Sequence, residues 1–387
     1  MKPRIAYLRF GVRPLANRTV HDVLVEQLPE YDIVAFDVKL AFRKHVLRLA
    51  RIAVAGLRYA PQVLRGHHDP KKAVFRTRTA FDLLRETVLE TLAGQEWTAT
   101  FQMQSLFDGS IPGVPHVVYT DHTHLTNLSY PSFDPRHLYS RGWIEAERQV
   151  FDHAAVVLTR STNVTRSLVE RYGVPEDKVR CVYMGANVPV RTGPSVGRDP
   201  NEVLFIGGDW KRKGGPDLLA AWEAVRAAHP TATLTVVGCD PQPVPDGVTV
   251  VGRIPPSEVG EHLARAGVFC LPTHVEPFGV VLVEALDAGL PIVASDIGAV
   301  PDMVEDGING RLVPPGDTAA LASALRDLVG ARELQAAYGA RSRQLAKERY
   351  DWDVVGSRLR DNVLAAIDDS RIQDSDDRGQ ALRGLVR

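Results

Sequence analysis

Runs of aliphatic and β-branched residues punctuate the chain at Ile5–Phe10, Ile33–Val38, Val114–Thr120, Ala154–Thr159 and Val179–Met184. They recur at Val203–Gly207, Thr233–Gly238, Val248–Gly252, Val268–Pro272 and Pro291–Ser295. The runs are nearly continuous rather than alternating, as strands buried on both faces of a parallel sheet are. Segments of helical spacing separate them. Pro216–Ala228 opens on a proline suited to a first helical turn, and Thr318–Val329 follows Gly316-Asp317, a loop and N-cap. The pattern predicts an α/β protein.

The stretch from Arg191 to Pro200, rich in Gly and Pro, lacks either period and reads as a linker. We expect two Rossmann-like domains facing each other across a cleft, spanning 1–194 and 195–345. A C-terminal helix over 346–370 follows, and a polar tail over 371–387. In open parallel sheets ligands sit beyond the carboxyl ends of the strands, so the loops after the strands are where chemistry is expected.

Composition narrows the class. With 387 residues, 44% hydrophobic and 24% charged, the chain has material for two cores and is not disordered overall. A net charge of -1 argues against a protein built as a whole for nucleic acid. Cys181, Cys239 and Cys270 are odd in number and widely spaced, so they read as small core residues in a reducing compartment. No apolar run reaches the roughly 18 to 20 residues a membrane helix needs, and Met1–Leu8 lacks a long apolar signal region, so the expectation is cytoplasmic. The Asp-x-Asp at Asp374-Ser375-Asp376 falls in the polar tail and is not taken as a metal site; no metal is expected elsewhere.

The neutrality is an average. Residues 39–78 hold eleven Lys and Arg against Asp69 alone, a local net charge of +10, with Val46, Leu47, Leu49, Ile52 and Val54 interleaved at roughly helical spacing. Two readings fit: a solvated helix face, or a basic amphipathic helix touching an anionic membrane or an anionic acceptor.

The most informative stretch is Glu276-Pro277-Phe278-Gly279-Val280-Val281-Leu282-Val283-Glu284, which follows a strand and opens a helix. Free amides and the positive dipole end at a helix start make an anion site. Pro277, Phe278, Gly279 and Val280 would form the turn around a phosphate. An acid at such a place makes sense if Glu276 accepts hydrogen bonds from ligand hydroxyls and Glu284 takes a ribose diol. The plainer alternatives are an acid favoured by the helix dipole and an exposed helix position. Glu284, however, sits among Val280, Val281, Leu282, Val283, Ala285 and Leu286, which offer no polar face.

Glu-Pro-Phe-Gly followed by Glu284 resembles the Glu-x7-Glu signature of retaining glycosyltransferases of the GT-B fold, family 4-like. Gly289–Asp296 with Gly298, and Glu305-Asp306-Gly307-Ile308-Asn309-Gly310-Arg311-Leu312-Val313, are similar to the run that follows in that family. The resemblance implies that Lys213 binds the donor diphosphate. The family's arginine before that lysine is replaced by Gly208, leaving Lys211 or Arg212 as sources of a second charge. It also implies a histidine at a strand end contacting the donor sugar, here His122 rather than His124, with Asp121 a weaker candidate to orient an imidazole or an acceptor hydroxyl. Gly11 lies in the loop expected to approach the donor phosphates or the acceptor, with Arg9 or Arg13 as side-chain donors. Backbone near Gly252-Arg253 would recognise the base. Trp352 would anchor a terminal helix folding back on the first domain.

The implied activity is metal-independent, retaining hexosyl transfer from a UDP- or GDP-sugar to a glycan, lipid-linked or small-molecule acceptor, without a cofactor. The catalytic candidates are His122, Lys213 and Glu276. Expected partners are a nucleotide sugar, a carbohydrate or lipid-linked acceptor and, through 39–78, an anionic membrane; nucleic acid is not expected. Alternatives are an epimerase or phosphorylase of the same fold, or a non-catalytic nucleotide-sugar-binding protein.

Overall fold

The protein is described by a computed structural model covering residues 2–11, 15–187 and 197–385, with side chains through residue 370. It divides into two compact units: Met1–Val182 with Gly356–Arg387, and Tyr183–Val355. The boundary expected at 194/195 lies outside the described residues, and the chain passes between units at Val182–Tyr183.

In the first unit, β1 (Arg4–Arg9), β2 (Asp32–Asp37), β3 (Ala99–Met103), β4 (His116–Thr120), β5 (Val156–Thr159) and β6 (Val179–Cys181) form one parallel sheet ordered β2-β1-β3-β4-β5-β6. Every residue of β3 and β4 is buried, as the continuous apolar run at β4 predicts. β3 is absent from the expected strands because Thr100 and Gln102 break its apolar pattern. Both are buried yet satisfied: Thr100 Oγ1 lies 2.6 Å from His116 Nδ1, and the Gln102 amide donates to the carbonyls of Gln104 and Phe107. A buried polar group is tolerated where its partners are in place.

Helices Arg78–Leu92 and Arg141–His153 contribute Phe81 and Trp143, buried with rings edge to face at 5.9 Å, to a cluster with Val118, Phe151 and Val157. Fully burying an aromatic side chain of this kind is worth about 1.5–3 kcal/mol. The basic block folds as short helices Val38–Phe42, Val46–Gly56, Ala60–Leu64 and Pro70–Ala73.

In the second unit, β7 (Asp199–Ile206), β8 (Thr233–Val237), β9 (Val248–Gly252), β10 (Ala266–Leu271), β11 (Ile292–Ser295) and β12 (Gly310–Val313) form a parallel sheet ordered β9-β8-β7-β10-β11-β12. This is the 3-2-1-4-5-6 order of doubly wound dinucleotide folds. The order reverses between β7 and β10, which opens a crevice at their carboxyl ends. β12 was not among the expected strands. Its motif is structural: a Cβ on Gly310 would lie 2.0 Å from the Ile292 carbonyl oxygen, and the Asn309 amide ties the loop by donating to Met303 O and accepting from Glu305 N.

One helix runs from Trp352 to Leu385, so the division expected at 370 falls inside it. Trp352 Nε1 donates to Ala186 O at 2.7 Å, and its indole lies where a Cβ on Gly185 would be, fixing the start of this helix within the second unit. From Gly356 onward the helix belongs to the first unit, burying Leu359, Val363 and Ile367.

Candidate active site

The loop after β7 and the loop after β10 meet at the crevice of the second unit. Gly214, with φ +75°, caps the helix Gly215–Ala228, and a Cβ there would lie 1.7 Å from the Pro272 carbonyl oxygen. Only glycine both accepts that backbone and lets the loops close. The Arg212 carbonyl accepts from His274 N at 2.9 Å and Thr273 Oγ1 at 3.2 Å, while the Arg212 guanidinium donates to Val275 O at 2.7 Å.

These bonds set Lys213 and Glu276 side by side. Lys213 Nζ donates to Glu276 Oε2 in an ion pair that is almost wholly buried, Lys213 being 8% and Glu276 3% exposed. Charges this buried need both a partner and a preorganised setting. The Glu276 carbonyl accepts from Ala299 N, and Gly279, with φ +91°, caps the helix Val280–Asp287, whose first amides lack intrahelical acceptors. Phe278 is buried, Pro277 and Val280 are half-buried, and Glu284 is buried at 6% exposure one helical segment further on. An ion pair absent from the sequence reading, His274 Nε2 to Asp217 Oδ2 at 2.8 Å, ties the loop after β10 to the first turn of the helix Gly215–Ala228. Nothing in the spacing of 217 and 274 announces it.

The two candidates for a second positive charge differ. Lys211 is exposed. Arg212 is held by Asp209 and the Val275 carbonyl, with its side chain 38% exposed. Gly208 and Arg253 line one cavity of about 550 Å³ with Trp210, Gly238, Cys239 and Gly252, beyond the ends of β7, β8 and β9. Cys239 therefore lines a cavity and is not a core residue, and burial together with Asp240 pushes its thiol up to about 11. The three cysteines are free.

Gly11 and His122 belong to the first unit. Gly11, with φ +92°, donates its amide to Asp37 Oδ1 at 3.1 Å, joining the ends of β1 and β2. Arg13 lies outside the described residues. His122 follows β4 and faces a cavity of about 590 Å³ that also takes Gln104 and Ser105 from the loop after β3. Its Nδ1 is buried without a hydrogen-bond partner, and burial lowers its pKa, partly offset by Asp121. Asp121 itself lies 3.7 Å from Arg160.

His124 plays a different part. Its Nε2 accepts the Tyr139 amide at 2.7 Å, and burial pushes its pKa down to about 3, so the ring is a neutral structural brace. Buried Glu147 fixes the same turn, accepting from the His124 amide, Ser105 Oγ at 2.6 Å and the Tyr172 hydroxyl. The sequence reading missed Glu147, and also missed that Lys72 and Arg76 of the basic block reach the His122 cavity.

Comparison with known proteins bears on the family and the fold. The model for Glycosyltransferase Family 4 matches residues 23–188 and that for Glycosyl transferases group 1 matches residues 200–331. A glycogen synthase of Mycobacterium tuberculosis is 33% identical over 187 residues, 46% of this chain and 44% of the relative. A phosphatidyl-myo-inositol mannosyltransferase of Mycobacterium leprae is 37% identical over 167 residues, 41% of this chain and 44% of the relative. The matches thus span less than half the length of either curated relative. The crystal structure of Anabaena Alr3699/HepE in complex with UDP and glucose aligns with a TM-score of 0.64 at 15% identity, over 94% of this chain and all of that one. With both sheets in place and the two family models covering one unit each, the chain belongs to the family 4, group 1 glycosyltransferases of GT-B fold.

Proposed function

We propose that the protein is a cytoplasmic, retaining hexosyltransferase that uses a UDP- or GDP-sugar without a metal ion. The observation that carries this reading is the buried Lys213–Glu276 pair at the crevice between β7 and β10. Lys213 supplies a fixed positive charge where a departing diphosphate gathers negative charge, and the amides at Gly279 and Val280 supply further donors. Glu276 accepts from hydroxyls of the sugar, and Glu284 from the ribose diol. The cavity at Gly208, Gly252 and Arg253 holds the base. His122 meets the donor sugar, and Gly11 allows close backbone approach. Retention follows from front-face attack, the leaving phosphate oxygen taking the acceptor proton as the glycosidic bond forms and the sugar–phosphate bond breaks. The relatives' names, a glycogen synthase and a phosphatidyl-myo-inositol mannosyltransferase, support a glycan or lipid-linked acceptor.

The experiment is nucleotide release from a panel of UDP- and GDP-sugars with and without candidate acceptors. One donor is expected to turn over slowly alone and faster with acceptor. A folded sample that neither binds nor releases either nucleotide would refute the reading.

The reading includes peripheral contact with an anionic membrane. No helix among the described residues is long and apolar enough to cross a bilayer. Yet Val46, Leu47, Val54, Leu57 and Leu64 are each at least two-thirds exposed. They lie among exposed Arg43, Lys44, Arg51, Arg58 and Arg65. Apolar side chains between cations suit the headgroup boundary of an anionic leaflet. Retention on phosphatidylglycerol vesicles at low salt is expected, and Leu47→Glu with Val54→Glu is expected to abolish it. A wild-type protein that stays in the supernatant would end this part of the proposal.

A further inference from the structure

Apart from His122 itself, the His122 cavity has a charge pattern that the donor chemistry does not use. Its wall carries Lys72 and Arg76 from the basic block, His67, His68, His122, His124 and His137, and the acids Asp69, Asp121 and Glu147. Each acid is already engaged. Asp69 Oδ1 caps the helix Pro70–Ala73 by accepting from the amides of Lys71 and Lys72. Asp121 faces Arg160, and Glu147 accepts from Ser105, Tyr172 and the His124 amide. The cations are not so matched. No acid within 4.0 Å accompanies either Lys72 or Arg76 among the ion pairs of the described residues.

Arg76 is held ready. Its guanidinium lies over the Trp143 ring at 4.9 Å, and its carbonyl accepts from Tyr59 Oη at 2.8 Å, which in turn accepts from Ser140 N at 3.0 Å. Burial lowers its pKa, with Glu147 and Tyr139 opposing. A guanidinium drawn into a wall and stacked on an aromatic face is poised for bidentate contact with an oxyanion. His68, whose buried Nε2 has no hydrogen-bond partner, adds a ring nitrogen to the wall, and burial lowers its pKa. His67 and His137, their rings 4.1 Å apart, stand beside this group.

We infer that this cavity binds an acceptor through a phosphate group, held by Arg76 and Lys72 beside the buried His68 ring. The inference rests on the transferase reading and names the class of acceptor. The phosphate is either that of a lipid headgroup or that of a soluble phosphorylated alcohol.

The test is calorimetric titration of inorganic phosphate into the full chain with UDP or GDP at saturation, so that the loops at Lys213 are occupied. Phosphate is expected to bind, and Arg76→Gln and Lys72→Gln each to weaken it by about tenfold or more, as loss of a charge-assisted contact does. Lys72 is exposed, so its variant keeps the test valid if Arg76→Gln disturbs packing on Trp143. Lys347→Gln removes the same charge from an exposed position in the second unit and is expected to change nothing. Absence of phosphate binding to folded wild-type protein, or equal weakening in Lys347→Gln and Arg76→Gln, overturns the inference.

Competition then separates the sources. Displacement of phosphate by phosphatidylglycerol vesicles and not by glycerol 3-phosphate assigns a headgroup; the reverse assigns a soluble acceptor; failure of both overturns the inference. Phosphate binding is read without turnover, so it stands or falls separately from nucleotide release.

Discussion

Replacing Glu276 by glutamine is expected to slow sugar transfer by about a hundredfold or more, because one preorganised contact to the reacting group is lost. Lys213→Ala is expected to cost a similar factor, through the charge that builds on the leaving diphosphate. The two are paired and buried, so each single change also leaves its partner uncompensated, a loss that can reach about 3–5 kcal/mol of stability. Unfolding midpoints of both variants therefore accompany the rates. The double variant is expected to be little slower than either single one, since residues that act as a unit are not additive. Full activity in folded Glu276→Gln would remove that residue from the site.

Acid is expected to destabilise the first unit as the pH falls below about 6.5. Folded His116 and His124 take a proton only below about 4 and about 3, because burial excludes the charged ring, whereas the unfolded chain takes it near 6.5. Between those values the unfolded state binds more protons, so stability rises with pH there. The contribution is complete above about pH 6.5 and is lost as the pH falls toward the folded values. Protonation also removes the acceptor for the Tyr139 amide. Glu147 acts in the opposite sense: burial raises its pKa, so it takes up a proton earlier in the folded state and offsets part of the loss. Denaturant midpoints at about pH 7.5 and about pH 5 measure the effect, and His124→Gln is expected to flatten the difference. A wild-type profile with no slope there would contradict the burial argument.

The sheets were legible because buried parallel strands write themselves as apolar runs, and β1, β4, β5, β7, β8, β10 and β11 follow those runs closely. β3 escaped because its burial is satisfied by side-chain amide and hydroxyl bonds to residues distant in sequence, which no period records. At the site, Lys213 and Glu276 were each recognisable from a local motif, but their contact joins loops 63 residues apart. His122 was chosen over His124 on the resemblance alone, while the Tyr139 amide that occupies His124 Nε2 is a tertiary contact with no trace in the sequence. The basic block could be counted but not divided: helical spacing gives its outward face, while the turn that brings Arg76 over Trp143 is tertiary.

The two crossings of the chain, at Val182–Tyr183 and Val355–Gly356, make the second unit an insertion within the first. A ribosome therefore delivers all of the inserted unit before it delivers the segment that completes the host. Until residues beyond 356 emerge, Val23 and Gln27 lack the helix that packs on them at Gly356, and the nascent first unit must wait with that face uncovered. A fragment ending before 356 can complete only the inserted unit, so a truncated transcript would leave a finished second unit on an unfinished first one.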